Sequence, residues 1–221
     1  RSFNIPLLME KPVSYSSQEA EALIPFLPKL TMVGQNRRFY SNLDPIRQLV
    51  AQGEKLMVHA FLCERAQDIR IRSKKDCDHW HVMNAIHIID LLKHLFGEPE
   101  KYLFRNSVGT LDFSTLSTFQ ETVYTTQAGH HVHYHSNLDS PGGWRMFVFH
   151  KGQEIVVQPI EKTTIKKIGS AEEVVLAKED TEYKQGFFKQ AQCFVSGVMT
   201  GSPSQEWITF EDALKSVRMA E

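Results

Sequence analysis

The chain has 221 residues, a formal net charge of −1 at neutral pH and 42% hydrophobic residues. This is the composition of a globular protein with enough apolar mass for a core, and it lacks the basic excess of nucleic-acid binders. No apolar run reaches the ~20 residues that cross a bilayer, and "RSFNIPLLMEKP" has no secretory pattern. The scattered Cys63, Cys77 and Cys193 fit free thiols in a reducing cytoplasm.

"IPLLME" (5–10) reads as a buried parallel strand. In "SYSSQEAEALIPFL", Ser14 to Ser17 offer N-cap oxygens, and Ala20, Leu23, Ile24 and Leu27 recur at helical spacing. "KLTMVGQNRRF" (29–39) is expected to be a second strand, which completes a β-α-β unit. A helix over 42–52 stops at Gly53, and a long strand follows over 55–66. The strongest helix spans 81–97. Val82, Ile86, Ile89, Leu92 and Phe96 form its apolar stripe, and Gly97 and Pro99 close it. From 101 to 176 short alternating segments separated by "SPGG" and "HKGQ" read as antiparallel strands. Helices over 182–199 and 209–220 end the chain, the second with a capping box from Thr209 and Asp212. The expected architecture is α/β in the α+β sense: a βαβ unit, then a large, mainly antiparallel open sheet with helices on one face. The other face of such a sheet needs cover, and a second subunit is the expected cover, as a homodimer or homotetramer.

Three places carry chemistry. In "MEKPV" (9–13), Glu10, Lys11 and Pro12 follow the carboxyl end of a strand, where open α/β sheets bind ligands. A lysine there can hydrogen-bond a substrate hydroxyl, or it is an ordinary surface lysine in a turn. His87 sits near a helix start, where the dipole favours the neutral imidazole, and Asp90 lies three residues on. It can accept a hydroxyl proton, or it is a hydrogen-bonded histidine on the helix flank. In "HHVHYH" (130–135), His131, His133 and His135 share one face of a strand. They spread over ~13 Å along it, so all three cannot hold one ion without a bend. His79 and His81 could chelate as a pair, with only Cys77 and Asp78 near them in sequence. No metal site is expected from these patterns.

Together these pieces resemble the glucose-fructose oxidoreductase, inositol dehydrogenase and rhizopine-catabolism (Gfo/Idh/MocA) family of NAD(P)-dependent oxidoreductases. "LLMEKPVSYSSQEAEAL" is similar to that family's EKP segment and following helix. "VGQNRRFYSNLDPIRQLVAQG" is similar to the opening of its second domain, and "NAIHIIDLLKHLFGEP" to its active-site helix. "EYKQGFFKQAQCFVSGVMTG" and "TFEDALKSV" are similar to its closing helices. The resemblance covers nearly the whole chain. It implies a last βαβ unit of a dinucleotide-binding (Rossmann) domain over 1–35 and a substrate-binding and oligomerisation domain over 36–221. It implies that Lys11 contacts substrate and nicotinamide, flanked by Glu10 and by Pro12 with a cis bond. His87 would accept or relay the substrate's hydroxyl proton. Arg37 and Arg38 would help bind an acidic or polyhydroxy ligand, with Asn84 also at the substrate.

The sequence departs from the family pattern twice. The family commonly has an aspartate four residues before the histidine, and here that position is Met83. Asn84 beside it can hydrogen-bond but is no base. There is also no G-x-G-x-x-G turn to hold a pyrophosphate. The expectation is therefore the C-terminal portion of an oxidoreductase acting on a CH–OH group of a sugar, sugar derivative or cyclitol. NAD or NADP would serve the intact protein, with none bound by this chain alone. The alternative is a binding or scaffolding module that kept the sheet and lost the cofactor half. A zinc-dependent protein is a third and more distant possibility.

Overall fold

The computed structural model describes residues 5–221. β1 (Leu7–Glu10) leads through α1 (Ser17–Leu23) to β2 (Thr31–Gly34). Short 3₁₀ turns at Asn36–Phe39 and Ser41–Leu43 precede α2 (Asp44–Ala51) and β3 (Met57–Cys63). Two short helices, α3 (Ala66–Arg70) and α4 (Lys74–Asp78), and a π turn at His81–Ala85 lead into α5 (Ile86–Phe96). Then come β4 (Pro99–Val108), β5 (Phe119–Thr126), β6 (His131–Asn137), β7 (Gly143–His150), β8 (Gln153–Val157), β9 (Thr163–Lys167) and β10 (Ser170–Glu173). The chain closes with α6 (Lys178–Glu182), α7 (Phe187–Thr200) and α8 (Phe210–Ala220). No helix among the described residues is long and apolar enough to cross a membrane.

These elements form two compact units. One holds the described residues up to Ser41, with His81–Leu91 and Ala177–Glu221. The other holds Asn42–Trp80 and Leu92–Leu176.

In the first unit β1 and β2 pair in parallel, and α1 connects them. Ser16 caps α1 by accepting the Glu19 N–H, as the serine run suggested. β2 is buried along its length, but β1 alternates half-buried and exposed positions, so the expectation of a buried first strand fails. β2 is its only strand partner among the described residues, and an edge strand keeps one side open. The second strand also stops earlier than expected, at Gly34. Residues 36–39 turn into a 3₁₀ helix because their side chains have partners elsewhere in the unit. The Asn36 amide donates to the Gln185 carbonyl at 3.2 Å, and Arg38 reaches α5 and α8. Met32, Val33, Phe39, Val82, Ile86, Trp207, Phe210 and Leu214 make this unit's core.

Two helices also differ from their expected spans. The 81–97 helix opens with the π turn, and the 182–199 segment breaks between Glu182 and Phe187. Gly186, at φ 77°, allows that break, and a Cβ there would overlap the Asn36 carbonyl oxygen. Thr209 caps α8 by accepting the Asp212 N–H. The Asp212 carboxylate, expected to close the capping box, pairs with Arg38.

The second unit is an eight-stranded sheet of order β10-β9-β8-β7-β3-β6-β5-β4. Every neighbouring pair is antiparallel except β3 and β6. The alternating pattern announced an antiparallel run, but not that β3, early in sequence, would slot between β6 and β7. Val58, Ala60, Leu62, Val132, Tyr134, Met146, Val148, Ile155 and Val157 are buried on one face. Ile46, Ile69, Leu92, Leu95 and Phe96 are among the unit's buried helical side chains. The other face carries His59, Phe61, His133, His135 and Phe147, all partly exposed, with Met57 at 49% and Phe104 at 48%.

In the first unit, α7 packs closely at Gly197, where a Cβ would overlap the Trp207 ring. The indole is buried and donates to the Thr31 carbonyl at 2.9 Å, so it has little freedom to move aside. Gly197→Ala should destabilise the fold by about 1–3 kcal/mol through overpacking. The check is a lowered urea midpoint at an unchanged m-value.

Candidate active site

The first unit gathers most of the chemistry-bearing residues named from the sequence. β1 ends at exposed Glu10, and the Lys11–Pro12 peptide bond is cis, as the EKP resemblance implied. Lys11 Nζ donates to the backbone carbonyl of Met83 at 2.9 Å. That carbonyl belongs to the π turn. A π turn bonds i to i+5 and so changes which carbonyls a helix offers outward; such turns recur at functional sites. Met83, Asn84 and His87 are the half-buried positions of a segment that is otherwise buried from His81 to Asp90.

His87 lies in a cationic setting. Burial, and then the nearby charges of Arg37, Lys11 and Lys184, push its pKa down to about 2. It is therefore a neutral imidazole at all ordinary pH. The dipole argument from the sequence reached the same protonation state, but desolvation and three neighbouring cations are the stronger cause. His81 is also driven down, to about 4, by burial.

The adjacent arginines serve different ends. Arg37 faces the His87 cluster electrostatically. Arg38, expected at the substrate with it, is 8% exposed, and each of its guanidinium nitrogens donates to a carboxylate. Nε and Nη2 reach Asp90 at 2.8 and 2.5 Å, and Nη1 reaches Asp212 at 2.5 Å. Asp90 also accepts from Ser216 Oγ at 2.6 Å. Asp90 is 2% exposed and is thus committed to Arg38 and α8.

Sequence reasoning missed Lys184 and the Met83 carbonyl. No motif marks Lys184, which is brought in by tertiary contacts of the α6–α7 connection. Asp180 accepts from the Ser41 N–H, the Ser41 hydroxyl and the Gly186 N–H at 2.8, 2.6 and 2.8 Å. Burial works against that carboxylate's charge, but these hydrogen bonds prevail and hold its pKa below the usual range.

Neither a protein-family model nor a curated protein matches the sequence. Solved structures do match the fold. The dehydrogenase MviM from Clostridium difficile has a TM-score of 0.77 at 16% identity, covering 98% of this chain and 69% of that one. UDP-N-acetylglucosamine 3-dehydrogenase GnnA from Acidithiobacillus ferrooxidans has a TM-score of 0.72 at 19% identity, covering 98% and 68%. A Gfo/Idh/MocA family oxidoreductase from Vibrio cholerae has 0.70 at 16%, covering 98% and 68%. The fold is that of the Gfo/Idh/MocA oxidoreductases.

Within the Gfo/Idh/MocA pattern, Met83 stands where the sequence comparison expected an acid. The lysine nevertheless has an oxygen acceptor at that same residue, supplied by the backbone instead of a carboxylate. This keeps Lys11 in place but adds no negative charge, so nothing from position 83 offsets the cations around His87.

Two outcomes follow for the site. Asp90→Ala leaves Arg38 buried beside one carboxylate and should cost about 3–5 kcal/mol, read from chemical denaturation. The second concerns pH. Unfolded histidine takes up a proton near pH 6.5, whereas folded His87 does not until about pH 2. Its contribution to stability is thus complete above that unfolded value and drains as pH falls, by about 1.4 kcal/mol per pH unit. Stability should drop more steeply between about pH 6 and pH 4 in the native protein than in His87→Gln. Equal slopes would mean that His87 is protonated in the fold.

Proposed function

We propose that this chain supplies the substrate side of an NAD(P)-dependent oxidoreductase acting on a CH–OH group of a sugar, a sugar derivative or a cyclitol. The observation that carries it is the meeting of Lys11, tethered at Met83, with neutral His87 in one cationic cluster. The family fold and a sugar-nucleotide dehydrogenase among its neighbours add support.

In this mechanism a substrate hydroxyl accepts a hydrogen bond from Lys11 and donates its proton towards His87. Lys11, Arg37 and Lys184 favour the oxyanion that develops as the proton leaves. Those same cations make His87 a poor base, and the growing negative charge on the substrate oxygen offsets them. His87 therefore gains basicity as the alkoxide forms. Arg37 and Asn84 bind further hydroxyls or an acidic group, while Arg38 braces the helices behind them. NAD(P) would act as the hydride acceptor. Glu10, Lys11 and Pro12, at the carboxyl edge of β1, fit its nicotinamide end. On this reading residues 1–35 are the last βαβ unit of a Rossmann domain, in keeping with the parallel pairing of β1 and β2. Residues 36–221 then form the substrate and oligomerisation domain of a cytoplasmic homodimer or homotetramer that buries the open sheet face.

Met83 favours a second reading, a module that binds a polyhydroxy ligand without turning it over. Assay of the intact protein with NAD(P) and a panel of sugars and cyclitols separates the two. An oxidoreductase changes nicotinamide absorbance, and Lys11→Ala and His87→Ala each lower turnover by about 10²–10⁴ with the circular dichroism unchanged. Saturable sugar binding without any nicotinamide signal would select the module.

A further inference from the structure

We propose that His59, His133 and His135 form a binding site for a divalent transition ion of the zinc type on the partly exposed face of the eight-stranded sheet. The site is independent of the hydroxyl chemistry assigned to Lys11 and His87, which belong to the other unit.

The sheet order makes the site possible. Along β6 alone, His131, His133 and His135 are too far apart to share an ion. β3 changes the count, because it lies parallel beside β6 with His59 opposite His133. His59 and His133 are thus cross-strand partners, and His135 is the next residue on the same face of β6. The three side chains form a triangle, not a line. Each offers a ring nitrogen, and these nitrogens all lie within 4.8 Å of one another.

Tetrahedral zinc holds imidazole nitrogens at 2.0–2.1 Å, which sets them about 3.4 Å apart. Closing from separations of up to 4.8 Å asks for rotation about side-chain bonds, with no change in strand register. The His59 and His133 rings now stack at 4.5 Å and 11°. Coordination would turn one ring out of that stack, since two stacked rings cannot both aim their lone pairs at one point. His135 stands at 6.3 Å and 41° from His59, outside that stack.

The surroundings suit ligation. Glu121 on β5 faces His135, with Oε1 3.7 Å from Nδ1. At that distance there is no hydrogen bond, but a small side-chain rotation lets Glu121 accept the Nδ1–H and leaves Nε2 for the ion, the outer support of a metal-bound histidine. Phe61 stacks on His135 at 4.8 Å, and Phe149 meets His59 edge-on at 5.5 Å, so both rings are held from behind. A metal binds the neutral imidazole through its lone pair, so the affinity of such a site falls as pH drops and protons compete. Three nitrogen donors select zinc, copper, nickel or cobalt over magnesium or calcium, and a three-histidine set keeps a fourth position, for water where the face is open or for a group of a second chain where the proposed oligomer covers it.

The test uses the whole chain, stripped with chelator and titrated with zinc chloride in a calorimeter, and with cobalt(II) followed by visible absorption. One zinc per chain should bind with a dissociation constant in the micromolar range or tighter, and cobalt(II) should give the intense visible bands of a four-coordinate site. His59→Ala and His133→Ala should each weaken zinc binding at least about tenfold. His131→Ala, on the same face of β6 but outside the triangle, should leave it unchanged. If His59→Ala melts early, His59→Phe keeps a ring between His133 and Phe149 and serves in its place. Binding that survives loss of His59, or that falls equally with His131→Ala, would overturn the proposal, as would the absence of saturable binding in the native chain. The three rings would then be aromatic packing on the sheet face.

Discussion

A buried arginine between two aspartates organises the first unit. Arg38 leaves the turn after β2 and binds Asp90 of α5 and Asp212 of α8, and Ser216 completes the acceptor set on Asp90. An unpaired guanidinium at that depth would be prohibitively costly, so the three elements must arrive together. The consequence reaches the neighbouring residue. With Arg38 committed inward, the chain direction is set and Arg37 is delivered to the side of His87 and Lys11. Structural and chemical roles are thus divided between adjacent residues of one type.

The same economy appears at Met83. A side chain that cannot ionise occupies the position where an acid was expected, but a π turn presents that residue's carbonyl to Lys11. A carbonyl holds the ammonium through its dipole and leaves its charge uncompensated. The result is a site rich in positive potential around a neutral imidazole, a setting that favours an oxyanion over a neutral hydroxyl. This bears more on what the site stabilises than on which group removes the proton.

Much of the fold was legible in the residue pattern. The serine run before α1, the stripe of α5 closed by Gly97 and the alternation of the later strands each report a local cause, and each element formed. The errors fell where distant partners outweighed local preference. Residues 36–39 have the composition of a strand end, yet Asn36 and Arg38 find partners in the 180s, in α5 and in α8, and the backbone turns to reach them. Lys184 had no local mark at all, because Asp180 and Gly186 bring its segment into place.

The sequence by itself determined most of the element types, the EKP turn and the absence of a Gly-rich phosphate turn, since each depends on residues near one another along the chain. Tertiary structure alone decided that Arg38 is a brace, that Met83 contributes a carbonyl, and that β3 inserts beside β6 to set His59 against His133. Periodicity tells which face of a strand a residue occupies, but not which strand lies next to it. Strand order is settled by how the whole sheet buries its apolar face, and that decides which polar side chains meet.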